Sequence, residues 1–245
     1  MPVPLDDSGL EPDALERALR RGIGALIATP RGQNPTGAAF DGQRRTTLRD
    51  VLRNHPDVLV IEDDYVASVS GVPYFGVHGV TRRWTVIRSL SKVLGPDLRL
   101  APIVGDALTI SQIEGRQLLG SGWVSHILQQ TAMHLWHNAL DRGVLARAER
   151  VYAERRNALV SALAERGLPS RGRSGLGVWV PLLEELAVVQ LLLQEGWAVS
   201  PGERYRFNTR PGIRITTTDL EPKDAVKLAA ALAAALQSSQ ATYAA

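Results

Sequence analysis

The sequence predicts an α/β protein: an open, mostly parallel sheet followed by a smaller C-terminal α+β unit. Three observations carry this. Short apolar runs that end in polar residues, "GALIATP", "DVLVIEDDY" and "WTVIRSLSK", recur with a helical segment between the first two, the strand, helix, strand order of such sheets. From residue 106 to about 166 the periodicity is helical throughout. Beyond it, short strands and helices alternate as a separate small unit, so the chain is expected to divide into a large domain, residues 1–145, and residues 146–245, a connecting helix with the small C-terminal domain.

Taken in order, "DDSGLEPDALERALRRG" reads as a short amphipathic helix opened by acidic residues and closed by Gly22. "GALIATP" is too short for a helix and stops at Pro30, which makes it a buried strand. "DGQRRTTLRDVLRNHP" has Leu48, Val51 and Leu52 at helical spacing and ends at Pro56. "DVLVIEDDY", "WTVIRSLSK" and "LRLAPIVG" supply the next three strands. Apolar runs of this kind imply a sheet buried on both faces, and polar clusters at the C-terminal strand ends are where such sheets bind ligands.

Three helical segments follow, "LTISQIEGRQLLGSG", "WVSHILQQTAMHLWHNAL" and "VLARAERVYAERRNALVSALAERG", the last stopped by Gly167 and Pro169. The mixed-sign run between 147 and 156 is a solvated helix face. The strands "GVWVPL", "WAVSPG" and "GIRITTT", with "ELAVVQLLLQEG" as a helix between the first two, complete the small unit. A final helix is expected from Glu221 to Leu236, with Thr218 and Glu221 at capping-box spacing and "SSQATYAA" fraying beyond it.

Composition narrows the function. With 245 residues, 44% hydrophobic and 22% charged, this is an ordinary globular chain, and a net charge of +3 is too slight to point to nucleic acid. The absence of cysteine excludes disulfides, thiolate metal sites and a cysteine nucleophile. His134 and His137 stand three apart with no carboxylate or further histidine beside them, so no metal site is expected. The N-terminus lacks the basic region and apolar run of a signal peptide, and no apolar stretch could span a bilayer. A cytoplasmic protein is expected.

Among 28 basic side chains only Lys92, Lys223 and Lys227 are lysines. The last two lie four apart in an alanine-rich segment, where a solvated helix face explains them. Lys92 instead follows an apolar run, at the point where a strand ends.

Three strand ends carry unusual chemistry: "RGQNPTG", "EDDY", and "SLSK" followed by Arg99. In this order and spacing they resemble the fold type I pyridoxal-phosphate enzymes, the aspartate aminotransferase superfamily. That resemblance implies an aminotransferase-like fold, pyridoxal 5'-phosphate as cofactor, and Lys92 as the residue that holds it as a Schiff base, which a primary amine can form and a permanently protonated arginine cannot. Asp63 matches the carboxylate that keeps the ring nitrogen protonated by its opposite charge; Asp64 is the alternative if the register is shifted by one. Tyr65 and Asn34 match the residues that bond the ring's phenolic oxygen. Ser89, Ser91 and Arg99 match phosphate ligands, and Arg214 in "PGIRIT" the fork that pairs with a substrate carboxylate, a site Asn34 shares.

More narrowly, "TPRGQNPTG", "VIEDDY", "SLSKVLGPDLRLA" and "WVSHILQQ" resemble the aminotransferase-like half of the MocR branch of GntR-family transcription regulators, especially the PtsJ-like members. In these a winged helix-turn-helix binds DNA and the aminotransferase-like domain senses the cofactor. The resemblance places residue 1 already inside the large domain, so it implies a truncated or split product without a DNA-binding region, without the glycine- and serine-rich phosphate turn and without the aromatic residue that stacks on the ring. Two functions follow as expectations: transamination of an amino acid, or non-catalytic sensing of cofactor or effector. A homodimer and an amino acid or related small ligand are implied in either case, and no membrane.

Overall fold

In the computed structural model, which describes residues 1–207 and 209–243, the chain opens with a hairpin of two-residue strands, β1 (Leu5–Asp6) and β2 (Gly9–Leu10). Pairs this short leave no period in a sequence. Gly9 is required there: its φ is +91° and a Cβ would lie 2.5 Å from the Phe40 ring. Helix α1 (Pro12–Leu19) starts with proline in its first turn and buries Ala14, Leu15, Ala18 and Leu19. Strand β3 (Ala25–Ala28) follows. Helix α2 (Gly42–Arg53) is capped by Asp41, whose carboxylate accepts from the Arg44 N–H, and buries Leu48 and Leu52.

Strands β4 (Leu59–Asp63), β5 (Arg83–Ile87) and β6 (Ile103–Gly105) complete a four-stranded sheet in the order β3-β4-β5-β6. The first three run parallel and β6 antiparallel. On one face, Leu26, Ala28 and Val60 form a core with Leu15, Leu48 and Leu52 of α1 and α2. The expectation of a sheet buried on both faces is corrected on the other side, where Ala25 is exposed and Ile27 is 71% exposed. The described residues put a layer over that face only toward β5 and β6, where Ile110 of helix α3 (Ala107–Leu119) reaches Gly105.

Helices α4 (His126–Asp141) and α5 (Val144–Ala164) follow. Their neighbourhood is apolar and open: Leu118, Leu119, Trp123 and Ile127 are all exposed. The C-terminal part consists of β7 (Gly177–Pro181), α6 (Leu186–Gln194), β8 (Ser200–Pro201), β9 (Gly212–Thr216) and α7 (Pro222–Tyr243). Its strands form an antiparallel sheet in the order β7-β9-β8. A second core gathers Leu159 and Leu163 of α5 with Val178, Leu192, Ile213 and Leu232. Each such side chain contributes about 1.5–3 kcal/mol of burial.

Two details differ from the sequence reading. Helix α7 continues past Leu236 to Tyr243, so most of "SSQATYAA" is helical, and Ala244 and Ala245 lie outside the described residues. The capping box does not form: Glu221 pairs with Arg155 at 2.7 Å, while the Thr218 hydroxyl turns to Asp219. No helix among the described residues is long and apolar enough to cross a membrane. Arg156 of α5 links the segment after β4 to the one before β7, donating to the carbonyl of Gly175 at 2.9 Å and to that of Ser70.

Candidate functional site

The site lies at the C-terminal ends of β3, β4 and β5, and the alternation of β4 determines what faces it. Val60, Glu62 and Asp64 point to the packed side and are buried, whereas Leu59, Ile61 and Asp63 point the other way and are half-buried. Consecutive aspartates therefore have opposite surroundings. The Asp63 carboxylate has no hydrogen-bond donor among the described residues. Burial pushes its pKa up, and the neighbouring Asp64 charge adds to the rise.

Asp64 is fully buried and accepts a bidentate pair from Arg31, Nε to Oδ1 at 2.8 Å and Nη2 to Oδ2 at 2.9 Å. Arg88 Nε adds a third bond to Oδ2 at 2.8 Å. Both guanidiniums lie over the Tyr74 ring, at 5.4 and 5.3 Å. Tyr74 in turn donates to Glu62, which also accepts from the backbone N–H groups of Val77 and His78. Burial alone would raise the Glu62 carboxyl; hydrogen bonds from His78, Tyr74 and Val77 outweigh it and hold the group below its ordinary value.

After β5 the chain folds back on itself. Arg88 N donates to Pro102 O and Leu90 N to Leu100 O, both at 3.0 Å, which closes the loop between them. Ser91 and Lys92 lie in a turn stabilised by the bonds from Val93 N and Leu94 N to Leu90 O. Arg99 ends the loop in a left-handed conformation, φ 47°. Ser89, Ser91, Lys92 and Arg99 thus share one closed segment. Lys92 and Arg99 are exposed, and the Lys92 amine has no ion pair or hydrogen bond among the described residues.

Asn34 sits, exposed, in the turn after β3, joined to Pro35 by a cis peptide bond. The turn is fixed from the C-terminal unit. Buried Ser174 accepts from Gly32 N–H at 2.7 Å through Oγ and donates its hydroxyl to Gly37 O at 2.8 Å. The Tyr65 hydroxyl donates to Gly32 O at 2.6 Å. Tyr65, Asn34 and Arg214 line one narrow cleft of ≈ 10 Å³, together with Gly32, Gly177 and Ser174. Burial raises the Tyr65 pKa, with the Arg214 charge acting against that rise and the Asp63 charge with it. Arg214, on β9, donates to Thr216 Oγ1 at 2.8 Å and has no carboxylate partner among the described residues.

The fold therefore brings Asn34, Tyr65 and Arg214 together, puts Asp63 on the open side of the same strand end, and gathers Ser89, Ser91, Lys92 and Arg99 on the neighbouring loop. Sequence reasoning did not single out Arg31, Arg88 or Ser174. Arg31 and Arg88 stand inside the quoted motifs, but only tertiary structure shows their common partner.

A parallel sheet with an acidic pair, a tyrosine and a lysine-bearing loop at its strand ends, facing an arginine from a small antiparallel sheet, defines the fold type I aminotransferase class. Residues 1–232 match the aminotransferase class I and II family, and the chain belongs to that family. Among curated relatives it is 37% identical over 238 residues to the vitamin B6 salvage pathway transcriptional repressor PtsJ of Salmonella typhimurium, covering 96% of this chain and 55% of that protein. It is 28% identical to aminotransferase tdiD of Emericella nidulans, covering 80% of this chain and 51% of the relative. The chain thus spans about half the length of these relatives. Among solved structures, kynurenine aminotransferase of Pyrococcus horikoshii superposes with a TM-score of 0.85 at 22% identity, over 98% of this chain and 64% of the other. The α-aminoadipate aminotransferase LysN of Thermus thermophilus gives 0.84 at 24%, over 99% and 66%.

Proposed function

We propose that this chain is a pyridoxal-phosphate-binding domain of the aminotransferase type, with Lys92 as the residue of covalent attachment, working in the cytoplasm as a homodimer. The observation that carries the reading is the contrast between the two aspartates. Asp64 is saturated by two guanidiniums, whereas Asp63 is half-buried, has no donor among the described residues and has its pKa raised by burial. A carboxylate kept in that condition suits a protonated ring nitrogen, whose positive charge supplies the missing partner. The other groups fit the same cofactor: a free primary amine on Lys92, with the hydroxyls of Ser89 and Ser91 and the guanidinium of Arg99 on one closed loop to take the phosphate. Residues 1–145 would bind the cofactor and 146–245 contribute the carboxylate arginine. The exposed apolar face around Leu118, Leu119, Trp123 and Ile127 supports pairing with a second copy.

When bound, the cofactor supplies an electron sink for chemistry at the α-carbon of an amino acid. The chain's residues take the remaining work. Asp63 holds the proton on the ring nitrogen, and the Lys92 amine carries a proton to and from the substrate. Arg214 orients the substrate by its α-carboxylate with help from Asn34. Tyr65, whose hydroxyl now donates to Gly32 O, would be the residue to bond the ring oxygen. The cleft at Arg214 must widen to admit a carboxylate, because its present free space holds no more than a water.

A second reading is favoured by one observation: the identity to the repressor PtsJ exceeds that to the aminotransferase tdiD. In that reading the same residues bind the cofactor for sensing, as part of a MocR-type GntR-family regulator, without turnover. The experiment that tests the common ground is to add pyridoxal phosphate to purified protein, reduce with borohydride and map the modified residue by mass spectrometry. Label at Lys92, lost in Lys92→Ala and kept in Lys223→Ala, is expected. Folded protein labelled elsewhere, or not at all, would sink the assignment. Incubation of the loaded protein with amino acids and 2-oxo acids then separates enzyme from sensor.

A further inference from the structure

We propose that Asp64 is a positioning residue: with Arg31 and Arg88 it sets the relative placement of the end of β4 at Asp63 and of the two neighbouring loops that carry Asn34 and Lys92. The clamp spans the C-terminal ends of the three parallel strands. Arg31 leaves β3 three residues before Asn34, Asp64 directly follows Asp63 on β4, and Arg88 leaves β5 four residues before Lys92. One buried carboxylate thus joins the exits of three neighbouring strands, through Arg31 at 2.8 and 2.9 Å and Arg88 at 2.8 Å.

The chemistry suits fixed geometry. A planar guanidinium meeting both oxygens of a carboxylate defines an orientation as well as a distance. Arg31 also donates from Nη1 to Ser70 Oγ at 3.1 Å and Val72 O at 3.0 Å, so its fork is anchored on the far side. Tyr74 closes the cluster from beneath, its ring under both guanidiniums and its hydroxyl fastened to Glu62. None of this touches the cleft, because the alternation of β4 turns Asp64 to the packed face. Two buried charges are poor devices for stability alone, since desolvation offsets much of their attraction, and geometric definition is what such pairs can add.

The functional half of this inference rests on the cofactor reading above; the loop-setting half does not. The discriminating variant is Arg88→Gln. Arg88 has one bond to Asp64 and its side chain is 42% exposed, so the protein keeps its Arg31–Asp64 pair and its fold. Asp64→Asn would leave Arg31 buried with a weakened partner and serves only as a second, harsher variant.

In cofactor-free protein, amide hydrogen exchange across 89–99 is expected to accelerate several-fold in Arg88→Gln, with the global urea midpoint unchanged. Arg88→Lys, which can still reach Asp64, should restore slow exchange. Pyridoxal phosphate, titrated by absorbance, should bind Arg88→Gln about tenfold more weakly. Unchanged exchange across 89–99 in Arg88→Gln overturns the proposal whatever the cofactor does. Faster exchange with undiminished cofactor affinity overturns its functional half. If the parent protein takes up no cofactor, the reading of Lys92 has failed, and the exchange data still decide whether Asp64 sets the loop.

Discussion

Replacing Ser174 with alanine tests how the C-terminal unit holds the turn that carries Asn34. The Ser174 hydroxyl is buried and makes two bonds, accepting from Gly32 N–H at 2.7 Å and donating to Gly37 O at 2.8 Å. In Ser174→Ala the Gly37 carbonyl keeps the Ser174 N–H at 2.9 Å, but the buried Gly32 N–H loses its acceptor. A buried donor left unpaired costs about 1–3 kcal/mol. For a chain of this size each kcal/mol lowers Tm by about 2–4 °C. Urea denaturation should therefore show a lower midpoint at unchanged m-value, and hydrogen exchange should show the Gly32 amide released from protection. A variant within about 0.5 kcal/mol of the parent, with Gly32 exchange unaltered, would refute the latch. The turn would then be held by the Tyr65 hydroxyl and its own backbone bonds.

Two further outcomes follow from the same geometry. Glu62 has a lowered carboxyl pKa, so its contribution to stability is complete above its ordinary value of 4.5 and disappears as the pH falls through the lower folded value. The parent protein should lose urea resistance below that pH more steeply than Glu62→Gln, which starts less stable at neutral pH; parallel curves would show that Glu62 is not the titrating group. Arg214→Lys keeps the charge and loses the fork, and since among the described residues the side chain bonds Thr216 and lies over the Tyr205 ring without a carboxylate partner, folding should be little affected. Titration with an amino acid is expected to give binding about tenfold weaker, and an unchanged affinity would remove Arg214 from the site.

Much of the architecture was legible because strand and helix periods are local. "GALIATP", "VLVIEDD" and "GVWVPL" fall on strands, and Leu48 and Leu52 fall in the core. What misled was also physical. An unbroken apolar run specifies two covered faces, yet on the β3 side of the sheet the described residues cover only one, leaving Ile27 exposed. Thr218 and Glu221 have capping-box spacing, but Arg155, distant in sequence, takes Glu221 for itself. The candidate site shows the same division. Lys92, Asp63 and Tyr65 could be located from neighbouring residues, whereas Ser174 acts on Gly32 across 142 positions and leaves no trace in any window. The choice between Asp63 and Asp64 was open in one dimension, and the pleat of β4 gives the two carboxylates different surroundings, two guanidiniums around Asp64 and none on Asp63 among the described residues.

That pleat also bears on how the protein could change. A strand shows alternate residues to two compartments, so adjacent aspartates can be altered under separate rules. Substitutions around Tyr74, Arg31 and Arg88 would retune where the loops stand while leaving the reactive groups chemically intact. On the proposed reading of the site, substitutions at Asp63 or Tyr65 would alter reactivity on an undisturbed frame. Inserting one residue in β4 would do neither: it would send the half-buried acid into the company of two arginines and move the clamped one to the position from which Tyr65 lines the cleft, exchanging chemistry and scaffold in one step.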